Sequence, residues 1–320
     1  MYGGSKAFFY ALSRSASLKR LASKYGLATP RSFASRFIAG ETIEGAIDAA
    51  RRLQAQGMLI TLDHLGEGVK ALEAAAAATS EYVRLMDVIV TSGIERNISL
   101  KLTQLGIDVD RATCVDNLRR ILEPASRQGF FVRIDMENSV YTERTLEIFE
   151  ILWQQEYRNV GVALQAALYR TEQDVRRMNE LGARVRLVKG AYKEPVIVAF
   201  QRKEDVNAAF LRLACDLLDH GTYPAIATHD EDVIRQVRAH ATAHEIPSER
   251  FEFQMLYGIR RDLQASLVAQ GYRMRVYVPF GREWFPYFMR RLGERPANLR
   301  FVLRALVLEA EHSERRLPEN

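Results

Sequence analysis

The chain has 320 residues, 48% of them hydrophobic and 27% charged, ordinary proportions for one large globular domain or two smaller ones. Its net charge of +5 resides in the first forty residues, where Lys6, Arg14, Lys19, Arg20, Lys24, Arg31 and Arg36 meet no acid; without those seven bases the remainder carries −2. Aromatic residues are not interleaved with these bases in any known nucleic-acid-binding motif, which argues against a nucleic-acid partner. No apolar run is long enough to span a membrane, and two distant cysteines, Cys114 and Cys215, exclude a disulfide framework and fit a reducing compartment.

In chain order, residues 1–56 form a basic N-terminal helical arm, with Phe8, Phe9, Leu12 and Ala16 at helical spacing. Such an arm can pack on the domain, lie on an anionic membrane surface or serve as a cleaved presequence. Its last part, about 42 to 56, is a helix. Eight short apolar runs then follow at Met58–Leu62, Ile98–Leu102, Phe130–Ile134, Val160–Leu164, Val185–Val188, Tyr223–Ala227, Phe251–Met255 and Met274–Val278. The segments between them have a 3.6-residue period. Thr113-x-x-Asp116 and Thr171-x-x-Asp174 read as capping boxes, Pro195 as a helix start, and the alanine run at 72 to 78 as helix. His240 and His244 lie four apart with no acidic partner in a metal-site pattern, so no metal site is expected.

Alternating strands and helices imply parallel pairing with right-handed crossovers. Eight such units in roughly 240 residues match a (βα)8 TIM-like barrel over residues 57–312, followed by a polar tail at 313–320. An open doubly wound sheet is disfavoured, because Asp63-His-Leu-Gly66-Glu-Gly68 after the first strand is not a dinucleotide fingerprint.

Barrel enzymes work at the carboxyl ends of their strands. Those ends hold Asp63 and His64, Lys101, Asp135, Gln165, Arg186 with Lys189, Thr228 and His229, Leu256, and Tyr277. Farther on, Arg290 and Arg291 stand among Trp284, Phe285, Tyr287, Phe288, Met289 and Leu292. Cations beside aromatic surface call for an anion, and a guanidinium fork suits a carboxylate or phosphate. Gly190 allows close backbone approach to a ligand. With no nucleophile elbow and no acidic metal cluster, a bound cofactor is expected to carry the chemistry. Two other readings stay open. Lys101 or Lys189 could form a Schiff base, as in barrel aldolases, or the barrel could bind an anion without catalysis.

At these residues the chain resembles the proline dehydrogenase family. The resemblance rests on Thr61-Leu-Asp-His-Leu-Gly-Glu67, Ser99-Leu-Lys101-Leu, Arg133-Ile-Asp135-Met-Glu137, Arg186-Leu-Val-Lys-Gly-Ala-Tyr192, Ala227-Thr-His229-Asp, Phe253-Gln-Met-Leu256-Tyr-Gly258, Tyr277-Val-Pro-Phe-Gly281 and Tyr287-x-x-Arg290-Arg291-x-x-Glu294. They cover about residues 36 to 300 in the family's order, and the last is the most specific. The resemblance implies a distorted (βα)8 barrel that oxidises L-proline to Δ1-pyrroline-5-carboxylate with non-covalent FAD and passes electrons to a membrane quinone. By the same resemblance, Arg290 and Arg291 clamp the substrate carboxylate, Lys101 and Glu294 complete the polar frame, and Leu256, Tyr277 and Tyr287 wall the ring. Asp135 and Arg186 are the catalytic positions, with Arg186 also at the flavin. Met136, Gln165, Val188, Lys189, Gly190, Ala191, Tyr192, Thr228 and His229 would contact FAD. Longer bifunctional relatives carry an aromatic residue where this chain has Lys193. They also carry an aldehyde dehydrogenase domain for which 320 residues leave no room. The product would then pass to a separate pyrroline-5-carboxylate dehydrogenase, in the cytoplasm or at the inner membrane surface.

Overall fold

Why the strands close on themselves follows from their register. In the computed structural model, β1 (Leu59–His64) pairs in parallel with β2 (Asn97–Leu100) on one side and with β8 (Met274–Phe280) on the other. Between them β3 (Phe131–Ile134), β4 (Val160–Gln165), β5 (Val185–Val188), β6 (Ala225–Ala227) and β7 (Glu252–Leu256) complete a closed eight-strand barrel in sequence order. The structure describes residues 34–294, with the side chains of 290 and 292–294 excepted. The arm through residue 33, the side chains of Arg290 and Glu294, residues 295–312 and the tail at 313–320 therefore lie outside the described residues.

The connecting helices are α1 (Ile43–Gln54), α2 (Leu72–Ser92), α3 (Arg111–Arg127), α4 (Thr142–Gln154), α5 (Thr171–Leu181), α6 (Lys203–His220), α7 (Glu231–Ala243), α8 (Arg261–Ala269) and α9 (Trp284–Glu294). None among the described residues is long and apolar enough to cross a membrane. Outward-facing strand residues such as Ile60, Leu62, Ile98, Leu100, Val132 and Val276 meet Leu85, Ile89, Leu118, Phe149 and Phe210 of the helices in one core. Helix α1 belongs to that core through Ile43, Ala46 and Ile47, and packs on β1 and β8.

The barrel interior departs from the apolar filling usual for this fold. Arg275 on β8 binds Glu252 (2.7 Å), Glu95 (2.7 Å) and the Ile60 carbonyl (2.6 Å), all across the lower barrel. Above them Arg186 on β5 reaches Gln254 on β7 (2.6 Å) and Ser99 on β2 (3.0 Å). The strands can carry this because inward polar residues alternate with outward apolar ones, as in Glu252-Phe253-Gln254-Met255.

Helix α9 sits apart from the main core. Trp284, Phe285, Tyr287, Phe288 and Met289 form a second cluster with Ala34, Phe37, Ile38 and Leu65, the residue that follows β1. Burying each large side chain contributes roughly 1.5–3 kcal/mol, enough to hold this helix over the β1 end of the mouth. Trp284 Nε1 also donates to Glu41 (2.8 Å).

Several local expectations are corrected. Helix α3 is capped by Asp110, whose carboxylate accepts from the Thr113 amide (2.7 Å), so Thr113 is inside the first turn. Thr171 begins α5 without acting as its cap; its hydroxyl donates to the Gln165 carbonyl (2.5 Å) and Asp174 pairs with Arg170 (2.9 Å). Pro195 closes an isolated turn, accepting from Val198 and Ala199, and α6 starts only at Lys203. The sixth strand starts two residues late because Tyr223 adopts a left-handed φ of 47°. Both cysteines are free, as expected. The acidic partner missing for His240 and His244 in sequence is Asp219, delivered by α6.

Candidate active site

Four predicted positions converge at the carboxyl end of the barrel, and a fifth residue joins them. Lys101 follows β2, Asp135 follows β3, Arg186 lies within β5 rather than at its end, and Tyr277 is on β8. The Asp135 carboxylate accepts from Arg186 (2.5 Å), from the Tyr277 hydroxyl (2.7 Å) and from Ser99 (3.2 Å). The Lys101 ammonium is 3.6 Å from Asp135 and donates to both oxygens of Asp63 (3.2 and 3.3 Å). The Arg186 guanidinium also lies over the Tyr277 ring, 5.2 Å from its centroid. Asp63, at a strand end but assigned no role from sequence, is thus the fully buried anchor of the set.

Burial sets the protonation states. It raises the Asp63 carboxyl above the usual carboxylate range, against the pull of Lys101. For Lys101 burial alone favours the neutral amine, but the carboxylates of Asp63 and Asp135 reverse this and hold the ammonium above the ordinary lysine value. A Schiff-base lysine needs the opposite shift, so Lys101 is poorly suited to that chemistry. The Tyr277 hydroxyl is raised well above its ordinary value by burial and by Asp135, and stays a donor.

A second set surrounds the loop after β5. Val188, Lys189, Gly190, Ala191 and Tyr192 are half-buried. Gly190 has φ 109°, and a Cβ there would come within 3.3 Å of Gln165 Oε1 and the Ala167 Cβ. Only glycine keeps that stretch of backbone bare. The Lys189 ammonium donates to Asn207 (2.6 Å) and Asp230 (2.8 Å) rather than reaching the Asp135 set. Gln165 donates to the Glu137 carbonyl (2.7 Å), close to buried Met136. His229 Nε2 accepts from the Leu256 amide (2.9 Å), and buried Thr228 accepts from the Asp230 amide (3.1 Å). Glu137, unassigned from sequence, ties the β2 and β3 loops by accepting from Thr103 N (3.2 Å) and Oγ1 (2.7 Å).

Across the mouth, Tyr287 of α9 is buried and Arg291 is half-buried over its ring, at 5.3 Å from the centroid. A cavity of about 640 Å³ runs between α9 and the end of β1, lined by His64, Glu67, Lys101, Gln104 and Tyr287 among others. Tyr82 holds its wall, donating to Gln104 (3.0 Å) and to the His64 carbonyl (3.2 Å).

A closed parallel barrel whose paired ions and hydroxyls gather at the carboxyl ends of its strands defines the class of (βα)8-barrel enzymes. Comparison with known proteins narrows that class. The family model described as proline dehydrogenase matches residues 46–304. The chain is 41% identical to proline dehydrogenase 2 of Bacillus subtilis strain 168 over 302 residues, spanning 94% of this chain and 98% of that protein. It is 41% identical to the proline dehydrogenase of Deinococcus radiodurans over 278 residues, 86% of this chain and 90% of that one. Among solved structures, proline utilization A (PutA) from Bdellovibrio bacteriovorus, inactivated by N-propargylglycine, superposes with a TM-score of 0.76 at 28% identity. That match covers 81% of this chain but only 32% of the PutA chain. The chain belongs to the proline dehydrogenase family and is an oxidoreductase of that family.

Proposed function

We propose that this chain oxidises L-proline to Δ1-pyrroline-5-carboxylate with bound FAD, delivers the electrons to a membrane quinone, and leaves the product to a separate pyrroline-5-carboxylate dehydrogenase. The observation that carries the reading is the network of Asp63, Lys101, Asp135, Arg186 and Tyr277 in the mouth faced by α9, in a chain of this family.

The donor set fits FAD. Bare backbone at Gly190, cations at Arg186 and Lys189, and the polar ends of Gln165, Thr228 and His229 suit a large anionic dinucleotide. The loop from Val188 to Tyr192, with Met136, would complete its contacts. When bound, FAD supplies the two-electron acceptor that none of these side chains can provide.

The chain's own groups bind and orient. Arg291, with Arg290, would pair with the substrate carboxylate from α9, and Glu294 would complete that frame. Lys101, locked between Asp63 and Asp135, adds fixed positive charge at the opposite wall. Tyr277, its hydroxyl committed to Asp135, presents its ring to the substrate with Tyr287 and Leu256. Asp135 acts by fixing the Arg186 guanidinium and the Tyr277 hydroxyl in one geometry. Proline's amine must be neutral when oxidised, so the reaction accelerates as pH rises.

The test is the visible spectrum of the purified chain before and after anaerobic L-proline. A flavin spectrum bleached by proline is expected. A flavin-free protein trapped by borohydride with a carbonyl substrate would instead establish the aldolase reading. Proline binding without bleaching would leave a non-catalytic binder.

A further inference from the structure

The C-terminal ends of helices α6 and α7 carry a second cluster of ligating side chains. His240 and His244 stand one turn apart at the end of α7, their rings stacked at 4.0 Å between centroids. Helix α6 packs beside α7 and directs Asp219 at both. Asp219 Oδ1 lies 2.8 Å from His240 Nε2 and 3.3 Å from His244 Nδ1. All three donor atoms lie within 4.8 Å of one another, the one such His/Cys/Asp/Glu triplet among the described residues.

We propose that Asp219, His240 and His244 bind a first-row divalent transition ion of the zinc type, joining the ends of α6 and α7. Two imidazole nitrogens and one carboxylate oxygen suit zinc, cobalt or nickel, whereas magnesium and calcium need more oxygen ligands. Bonds of 2.0–2.2 Å in tetrahedral geometry put neighbouring donors about 3.3 Å apart. The Asp219 oxygen stands 2.8 and 3.3 Å from the two ring nitrogens, and all three donor atoms lie within 4.8 Å of one another, so shifts of these side chains alone would bring them to that spacing. One carboxylate oxygen now faces two ring nitrogens, and an ion seated there would be coordinated by all three. His244 is half-exposed, which leaves the remaining coordination positions to water.

The location assigns a structural role. Helices in this barrel run against the strands, so the ends of α6 and α7 lie at the face opposite the candidate active site. An ion there binds only the folded chain and stabilises it.

The test uses full-length, tag-free protein freed of metal by chelator. Zinc is titrated against a chromophoric competitor, cobalt by its visible absorption, and thermal unfolding is followed with and without zinc. One equivalent of zinc at roughly micromolar affinity or tighter is expected. His240→Ala, His244→Ala and Asp219→Asn should each weaken binding about tenfold or more and abolish the zinc-induced rise in unfolding temperature. All three positions reach solvent, and an unchanged circular dichroism spectrum with unchanged proline oxidation verifies that each variant folds. Absence of stoichiometric binding to the parent protein overturns the proposal. So does zinc affinity that survives in the His240→Ala/His244→Ala double variant.

Discussion

Replacing Lys101 with methionine isolates the buried charge under the mouth. Methionine keeps the length of the side chain and withdraws a cation that sits 3.2 and 3.3 Å from the oxygens of fully buried Asp63. Removing one partner of a buried ion pair destabilises by about 3–5 kcal/mol, because the other charge is left in a poor solvent. Lys101 is itself only 7% exposed, so solvent screening recovers little of this. The deficit should depend on pH. The folded-state pKa of Asp63 lies above its unfolded value, so its stabilising contribution is complete at low pH and is lost as pH rises through the folded value. Loss of Lys101 moves that folded value further up. The variant should therefore approach the parent at acid pH and show the full deficit at alkaline pH. Adding Asp63→Asn removes the orphaned charge and should restore about 2 kcal/mol or more. Urea unfolding followed by the fluorescence of Trp153 and Trp284 measures all of this. A Lys101→Met protein as stable as the parent at both pH values would mean that Asp63 is neutral in the parent, and the ion-pair reasoning would fail.

Replacing Arg291 with methionine should leave a folded, flavin-containing protein whose proline affinity falls about ten- to a hundredfold, the worth of a charged hydrogen bond; unchanged flavin-reduction kinetics at low proline would remove Arg291 from the site. Tyr277→Phe withdraws the 2.7 Å donor to Asp135 and should lower kcat/KM about tenfold with little change in unfolding midpoint, as steady-state assays and thermal melts will check. Glu252→Gln strips Arg275 of its bidentate partner in the lower barrel and should destabilise by about 3 kcal/mol in urea titrations. Gly258→Ala would bring a Cβ to 1.7 Å from the Arg36 carbonyl at a φ of 73°, so a stability loss of about 3 kcal/mol or more is expected from the same titration.

Much of the candidate site was legible because a parallel barrel aligns its strand ends. Once eight strands were recognised, Lys101, Asp135 and Tyr277 had to share one rim, and the bonds among them follow from that convergence. Asp63 was visible at a strand end, but its role required knowing that the next strand would bring an ammonium against it. Glu137 and Gln254 were hidden for the same reason: each is defined by a partner on another strand or loop. The capping boxes misled because Thr-x-x-Asp satisfies a local pattern that Asp110, one residue before α3, satisfies better.

The amino-acid order alone determined the eightfold alternation, since strand and helix periods are properties of consecutive residues. It also determined which residue types would stand at the rim. Tertiary packing alone decided which charge meets which: Arg275 with Glu252 and Glu95, Arg186 with Asp135, and Asp219 with His240. Electrostatic pairing depends on distance in space and on exclusion of water. Both arise only when segments distant in sequence, such as those of Glu95 and Arg275, 180 residues apart, close into one wall.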